Sequence, residues 1–123
     1  MNIALWVVQG LLAAAYLAAG GMKIVQPREQ MVASGRFEWA KDMTDAGVKG
    51  IGVVEVLGAL GLVLPWLTGI APVLTPIAAV GLVIVQVLAA RVHVKYGETK
   101  SLPVNVVLLL LAAFVAVGRF LDL

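Results

Sequence analysis

IGVVEVLGALGLVLPW, Ile51 to Trp66, carries one ionisable side chain, Glu55, in an otherwise apolar run long enough to enter a bilayer. A carboxylate inside a membrane helix is expensive. It persists where it faces a partner, a cavity or water. The remaining residues therefore have to supply that partner. On a 3.6-residue period Gly52, Glu55, Gly58, Ala59 and Leu62 share one face, so the carboxylate sits in a strip of small residues. Such a strip either admits a neighbouring helix at close range or leaves room for a ligand or water.

The composition around this run sets the class. Hydrophobic residues make up 62% of the 123-residue chain and charged residues 13%, with a mean hydropathy of +1.03. A soluble domain of this size has too little interior to hide so many apolar side chains. The chain reads as a single integral membrane domain over residues 1–123. The net charge of +2 and the pI near 9.2 do not point to nucleic acid, because the basic residues flank apolar runs. There they set topology and meet anionic lipid. With no cysteine, disulfides, thiolate metal sites and cysteine nucleophiles are excluded.

Four apolar segments, each near the ~20 residues a spanning helix needs, predict an all-α four-helix membrane bundle. Their expected bounds are about 3–25, 48–66, 70–92 and 102–120. The first holds Trp6 near its outer end, a stripe of Gly10, Ala14 and Ala18 suited to helix contact, and Lys23 in its last turn before Pro27. It is long enough to span, so it reads as a membrane helix rather than a cleaved signal. Pro65 to Gly69 are expected to form a tight turn, with Pro72 and Pro76 near the start of the third span. In that span Gln86, Ala89, Ala90 and His93 lie on one face. Ser101, Leu102 and Pro103 form a helix-start signature, with Ser101 as cap and Asn105 in the first turns that follow.

Between the first two spans lies the main hydrophilic stretch, Gln26 to Lys49. Its charges alternate in sign (Arg28, Glu29, Arg36, Glu38, Lys41, Asp42, Asp45, Lys49) and are interleaved with Met31, Val32, Phe37, Trp39, Ala40 and Met43. This pattern predicts one or two short amphipathic helices on the membrane surface, divided at Gly35, with Gly47 marking the turn into the second span. Five of the nine basic residues (Lys23, Arg28, Arg36, Lys41, Lys49) flank or occupy this loop; Arg91, Lys95 and Lys100 lie in the other loop on that side. Only Arg119 lies opposite. The positive-inside rule then places loops 26–48 and 93–101 in the cytoplasm and both termini outside, in a multi-pass inner (plasma) membrane protein.

This topology gathers Lys23, Glu55, Gln86, His93 and Asn105 at one end, where each span contributes, and leaves the outer half almost free of polar side chains. The expectation is a shared, half-buried polar site with these five residues as ligand-binding candidates. Glu55 and His93 are the candidates for acid–base or proton chemistry. Glu55 is the one carboxylate inside a span, so paired-carboxylate catalysis is excluded. The single histidine makes a poor metal or haem site by itself, and no metal site is expected. No hydroxyl nucleophile has a base beside it by spacing, and no phosphate-binding glycine loop follows a strand.

The assembled residues resemble the DoxX-like family of small four-span bacterial membrane proteins. The resemblance rests on AAGGMKI (Ala18–Ile24) and VKGIGVVEVLGALGLVLPW (Val48–Trp66). It continues in the third span ending at His93, the loop Tyr96-Gly97-Glu98, and Pro103 with Asn105. By the resemblance, Lys23, Glu55, His93 and Asn105 occupy the family's recurrent polar positions. Gln86 departs from it, standing where relatives usually carry an apolar residue, often Met. One relative is a membrane subunit linked to thiosulfate:quinone oxidoreduction, and others are associated with oxidative-stress complexes. The resemblance thus implies a membrane subunit of a redox or stress-response assembly, with a lipophilic, quinone-like molecule near Glu55 and a soluble redox partner. Two further readings stay open. One is a stand-alone membrane enzyme using Glu55 as acid or base on an apolar substrate such as an epoxide or isoprenoid. The other is a structural bundle, with an internal Lys23–Glu55 ion pair, that forms a homo-oligomer.

Overall fold

In a bilayer no water competes for backbone groups, so each apolar run satisfies its own peptide bonds as a helix. A computed structural model describes residues 1–34 and 38–123, and every element in it is helical. The elements are α1 (Asn2–Val25), α2 (Arg28–Ala33), α3 (Asp45–Thr68), α4 (Leu74–Lys95) and α5 (Leu102–Leu121). Short 3-10 helices at Glu38–Asp42 and Thr99–Ser101 precede α3 and α5. Among the described residues four helices, α1, α3, α4 and the one ending at Leu121, are long and apolar enough to cross a membrane. They run up and down in chain order, α1 against α3, α3 against α4, α4 against α5, and α5 closing back on α1. The protein is an integral membrane four-helix bundle.

The bundle is apolar outside and mixed inside. Leu11, Leu57, Ile84, Val107 and Leu110 are among many large apolar side chains facing outward, where lipid solvates them. Leu12, Tyr16, Ala59, Leu62, Ala79, Leu82, Ala112 and Val115 fill the centre. Gln9, Glu55, Gln86, Asn105 and Arg119 are buried with them. Lipid tails are as apolar as leucine, so close packing and interhelical hydrogen bonds hold such a bundle.

Several local expectations change. α3 does not stop at Pro65 but runs through it to Thr68, so Trp66 is helical. The chain turns at Gly69, left-handed at φ 73, whose N–H donates to the Pro65 carbonyl at 3.1 Å. Ala71 is also left-handed, and α4 begins at Leu74 rather than near Ile70. Pro76 thereby falls in the first helical turn, where a missing N–H leaves no carbonyl unpaired. At the other end Gly47 lies inside α3: Thr44 is the cap, its hydroxyl accepting from the Gly47 N–H at 3.0 Å. Ser101 precedes α5 without a side-chain capping bond.

The stretch between α1 and α3 carries its own small core, Met31, Ala40 and Val48, with Val32, Trp39 and Met43 against it. Arg28 ties it together, its Nε donating to the Ala40 carbonyl at 2.7 Å and its Nη2 to that of Lys41 at 2.6 Å. The division at Gly35, and the contributions of Arg36 and Phe37, lie outside the described residues.

Candidate functional site

The route to the site is a backbone contact. α1 and α3 cross where a β-carbon on Gly52 would lie 2.6 Å from the Gly20 carbonyl oxygen, and one on Gly20 2.7 Å from that of Gly52. The stripe expected to mediate helix contact, Gly10, Ala14 and Ala18, instead faces outward. With the two backbones this close, Lys23 does not snorkel away. Its Nζ meets Glu55 Oε1 at 2.7 Å, and the two side chains are 12% and 7% exposed. Beside the pair, Lys49 Nζ donates to the Ile24 carbonyl at 3.1 Å, meeting one of the acceptors left open at the end of α1.

A second polar chain crosses the bundle next to this pair. Asn105 Nδ2 on α5 donates to Gln86 Oε1 on α4 at 2.8 Å, and Gln86 Nε2 donates to the Tyr16 hydroxyl on α1 at 2.5 Å. Tyr16 and Lys23 lie two turns apart on one face of α1, and Val54 and Val85, the neighbours of Glu55 and Gln86, line one groove between α3 and α4, so the polar chain and the ion pair adjoin. Lys23, Glu55, Gln86 and Asn105 are therefore assembled in one layer supplied by all four spans, and Tyr16 joins them. Its signal was present in the sequence: Gln9, Tyr16 and Lys23 recur every seventh residue and so share a face of α1. Tyr16 escapes notice because most of its surface is apolar and one atom alone betrays the polar role.

His93 stands apart from this layer. Its Nδ1 lies 3.7 Å from Glu98 Oε1, while the Glu98 N–H donates to the His93 carbonyl at 2.7 Å. No hydrogen bond among the described residues joins it to Glu55. The two loops at this end are latched by the Tyr96 hydroxyl, which donates to Asp42 Oδ2. That bond to a carboxylate raises the Tyr96 phenol above the usual tyrosine range, with burial and the Asp42 charge adding to it.

The opposite end corrects the expectation of an apolar outer half. Arg119 is 1% exposed and is held by residues of α1 and α3 and by Asp122 just beyond α5. Its Nε donates to Gln9 Oε1 at 2.7 Å, and Nη1 donates to Asn2 Oδ1 at 3.0 Å and Asp122 Oδ2 at 3.1 Å. The guanidinium carbon lies 4.5 Å from the Trp66 ring centre and 5.4 Å from that of Trp6. Gln9 passes the network to α3 by donating to the Leu62 carbonyl at 2.5 Å. Asn2, Trp6 and Gln9 are spaced i, i+4 and i+7, a periodicity that marks this face in the sequence.

Between α3 and α4, on the lipid side, lies an apolar groove of about 230 Å³ lined by Val54, Leu57, Gly58, Ala78, Gly81 and Val85, with Leu82 as its floor. Val54 and Val85 immediately precede Glu55 and Gln86, so the groove reaches the level of the polar layer. The model of one family, described as the DoxX-like family, matches residues 7–115. No curated protein and no solved structure matches the chain.

Proposed function

The chain belongs to the DoxX-like family, and from that premise we propose that it is a small membrane subunit holding a lipophilic, quinone-like molecule in the layer around Glu55. The observation that carries this reading is the layer's incomplete hydrogen bonding. Asn105 Oδ1 is buried with no partner among the described residues, and Tyr16 accepts from Gln86 with its own hydrogen left to donate. A ring hydroxyl donates to an acceptor such as Asn105 Oδ1, a ring carbonyl accepts from the Tyr16 hydroxyl, and the α3–α4 groove offers the tail an apolar seat. Service to a redox or stress-response assembly follows from the family resemblance. A second reading draws on the ion pair itself: seated on the Gly20–Gly52 crossing, it suits a bundle whose polar layer is structural.

One pair of variants separates these readings. Glu55→Gln strands Lys23 and is expected to lower stability by about 2–3 kcal/mol, softened by lysine reaching the interface. Lys23→Met combined with Glu55→Leu removes both charges and is expected to restore most of it. On the ligand reading, wild-type protein in mild detergent releases about one quinone or similar isoprenoid per chain to organic extraction, judged by mass spectrometry, and Tyr16→Phe combined with Asn105→Leu, which removes the two groups that meet it, releases none. Wild-type protein that yields no such molecule and binds no added short-chain quinone sinks the ligand reading and leaves the structural one.

The orientation proposed for this subunit keeps both loops in the cytoplasm, in the inner membrane. Arg119 strengthens the case, because as a buried and hydrogen-bonded group it is no free positive charge on the outer side. The chain has no native cysteine, so single-cysteine labelling is clean. A membrane-impermeant maleimide is expected to label Leu123→Cys on intact cells and Lys100→Cys only after permeabilisation. The reverse pattern overturns the orientation.

A further inference from the structure

We propose that Arg91 and Lys95, on the lipid-facing side of α4, bind the headgroup of one anionic phospholipid whose acyl chain lies in the α3–α4 groove. The first support is where the two cations stand. Thr75, Ala79, Leu82 and Gln86 are buried and mark the inner face of α4. On a 3.6-residue period Arg91 and Lys95 fall on the opposite face, one turn apart and in line with Ile84 and Leu88. All four are exposed. The rule that basic residues gather at the cytoplasmic end does not require two of them on one outward face above a groove. Basic sites of that kind between membrane helices hold anionic headgroups.

The second support is that both charges are uncompensated. Lys23, Arg28 and Lys49 at this end are engaged, by Glu55 at 2.7 Å, by the carbonyls of Ala40 and Lys41, and by the Ile24 carbonyl. Among the described residues Arg91 makes no hydrogen bond or ion pair, and Lys95 Nζ meets only the Tyr96 ring, 5.5 Å from its centre. The carboxylates of the two loops are taken here, Glu98 facing His93 and Asp42 accepting from Tyr96. The third support is register. α3 and α4 touch where a β-carbon on Gly61 would lie 2.8 Å from Ala78 Cβ, and the groove runs from there past Gly81 to Val54 and Val85, toward the basic end. Along the helix Val85 lies about 9 Å from Arg91 and about 15 Å from Lys95. Half of the ~30 Å hydrocarbon core is about 15 Å, so a chain hung from these cations reaches the groove within its own leaflet. The inference does not rest on the ligand reading. A groove of about 230 Å³ seats one chain, so this lipid and a quinone tail exclude each other there.

The test titrates dioleoyl phosphatidylglycerol or dioleoyl phosphatidylcholine into the full-length protein in dodecyl maltoside and counts retained lipids by native mass spectrometry. One phosphatidylglycerol is expected to be held about 10- to 30-fold tighter than the choline lipid, at roughly fivefold per cation. Arg91→Gln is expected to lower phosphatidylglycerol affinity about fivefold, and Lys41→Gln, the same loss of charge in the other loop, to leave it unchanged. Gly81→Leu stands a side chain in the groove, at a position with nothing within 4 Å of a β-carbon, and is expected to weaken both lipids. Equal affinity of the wild type for the two lipids overturns the inference. Equal effects of Arg91→Gln and Lys41→Gln overturn it too, reducing the preference to general surface charge, as does a Gly81→Leu protein that binds both lipids like the wild type. None of these outcomes bears on quinone extraction, so the two readings fail separately. The wild-type comparison decides even where a variant does not fold.

Discussion

Gly52→Leu is expected to abolish the folded bundle, and Gly52→Ala to lower its stability by about 2–3 kcal/mol, at the upper end of what overpacking a tight contact costs. Even a single methyl group there meets backbone, the Gly20 carbonyl oxygen at 2.6 Å, and Lys23 Cβ at 2.9 Å. Backbone cannot rotate aside as a side chain can, so α1 and α3 must move apart. That movement also draws Lys23 from Glu55, coupling the packing defect to the polar layer. Gly58→Ala is a milder change, since its nearest neighbour is the tip of Leu82, and Gly10→Ala meets nothing within 4 Å. Unfolding in mixed dodecyl-maltoside and dodecyl-sulfate micelles, followed by circular dichroism, ranks the four variants. A Gly52→Leu midpoint equal to that of Gly10→Ala would contradict the crossing.

Arg119→Leu is the second large effect, a loss of about 3–5 kcal/mol, the range for breaking a buried ionic network from one side. The change removes three hydrogen bonds and the stacking on Trp66 and Trp6, and it strands Gln9 Oε1 in an apolar interior. Arg119→Lys should recover little, because an ammonium cannot serve Gln9, Asn2 and Asp122 at once while lying flat on an indole. Pairing Arg119→Leu with Gln9→Leu should restore much of the loss, since replacing both partners with apolar groups leaves no orphan. The same micelle titration reads stability, and tryptophan emission reports the guanidinium leaving the rings. Unchanged stability of Arg119→Leu would reduce the network to a surface ornament of the outer end.

Legibility differed between the two ends of the molecule for a physical reason. At the basic end each polar residue interrupts an apolar run near a charged loop, so Lys23, Glu55, Gln86 and Asn105 announce themselves by position alone. At the other end Gln9 and Arg119 also interrupt apolar runs, yet each belongs to a different span, and 110 residues separate them. An arginine near a chain end reads as a snorkelling anchor until its partners are in view. His93 shares a helical face with Gln86, and a shared face does not decide which partners a side chain meets. The Tyr96-Gly97-Glu98 loop folds back and gives His93 a local carboxylate instead.

The amino-acid sequence by itself determined that this is a membrane protein of four helices, because continuous apolar runs of ~20 residues satisfy their backbone in lipid as helices, whereas barrel strands alternate apolar and polar residues. Placing both basic loops at one end, and with them the layer around Glu55, followed from the same reasoning. Tertiary structure alone decided which small residues bring helices together. The periodic stripe of Gly10, Ala14 and Ala18 turns to lipid, while Gly20 and Gly52, on different spans, make the crossing. Periodicity reports a face and not what that face meets. Whether Glu55 stood alone or beside Lys23 therefore depended on a backbone approach that no single helix encodes.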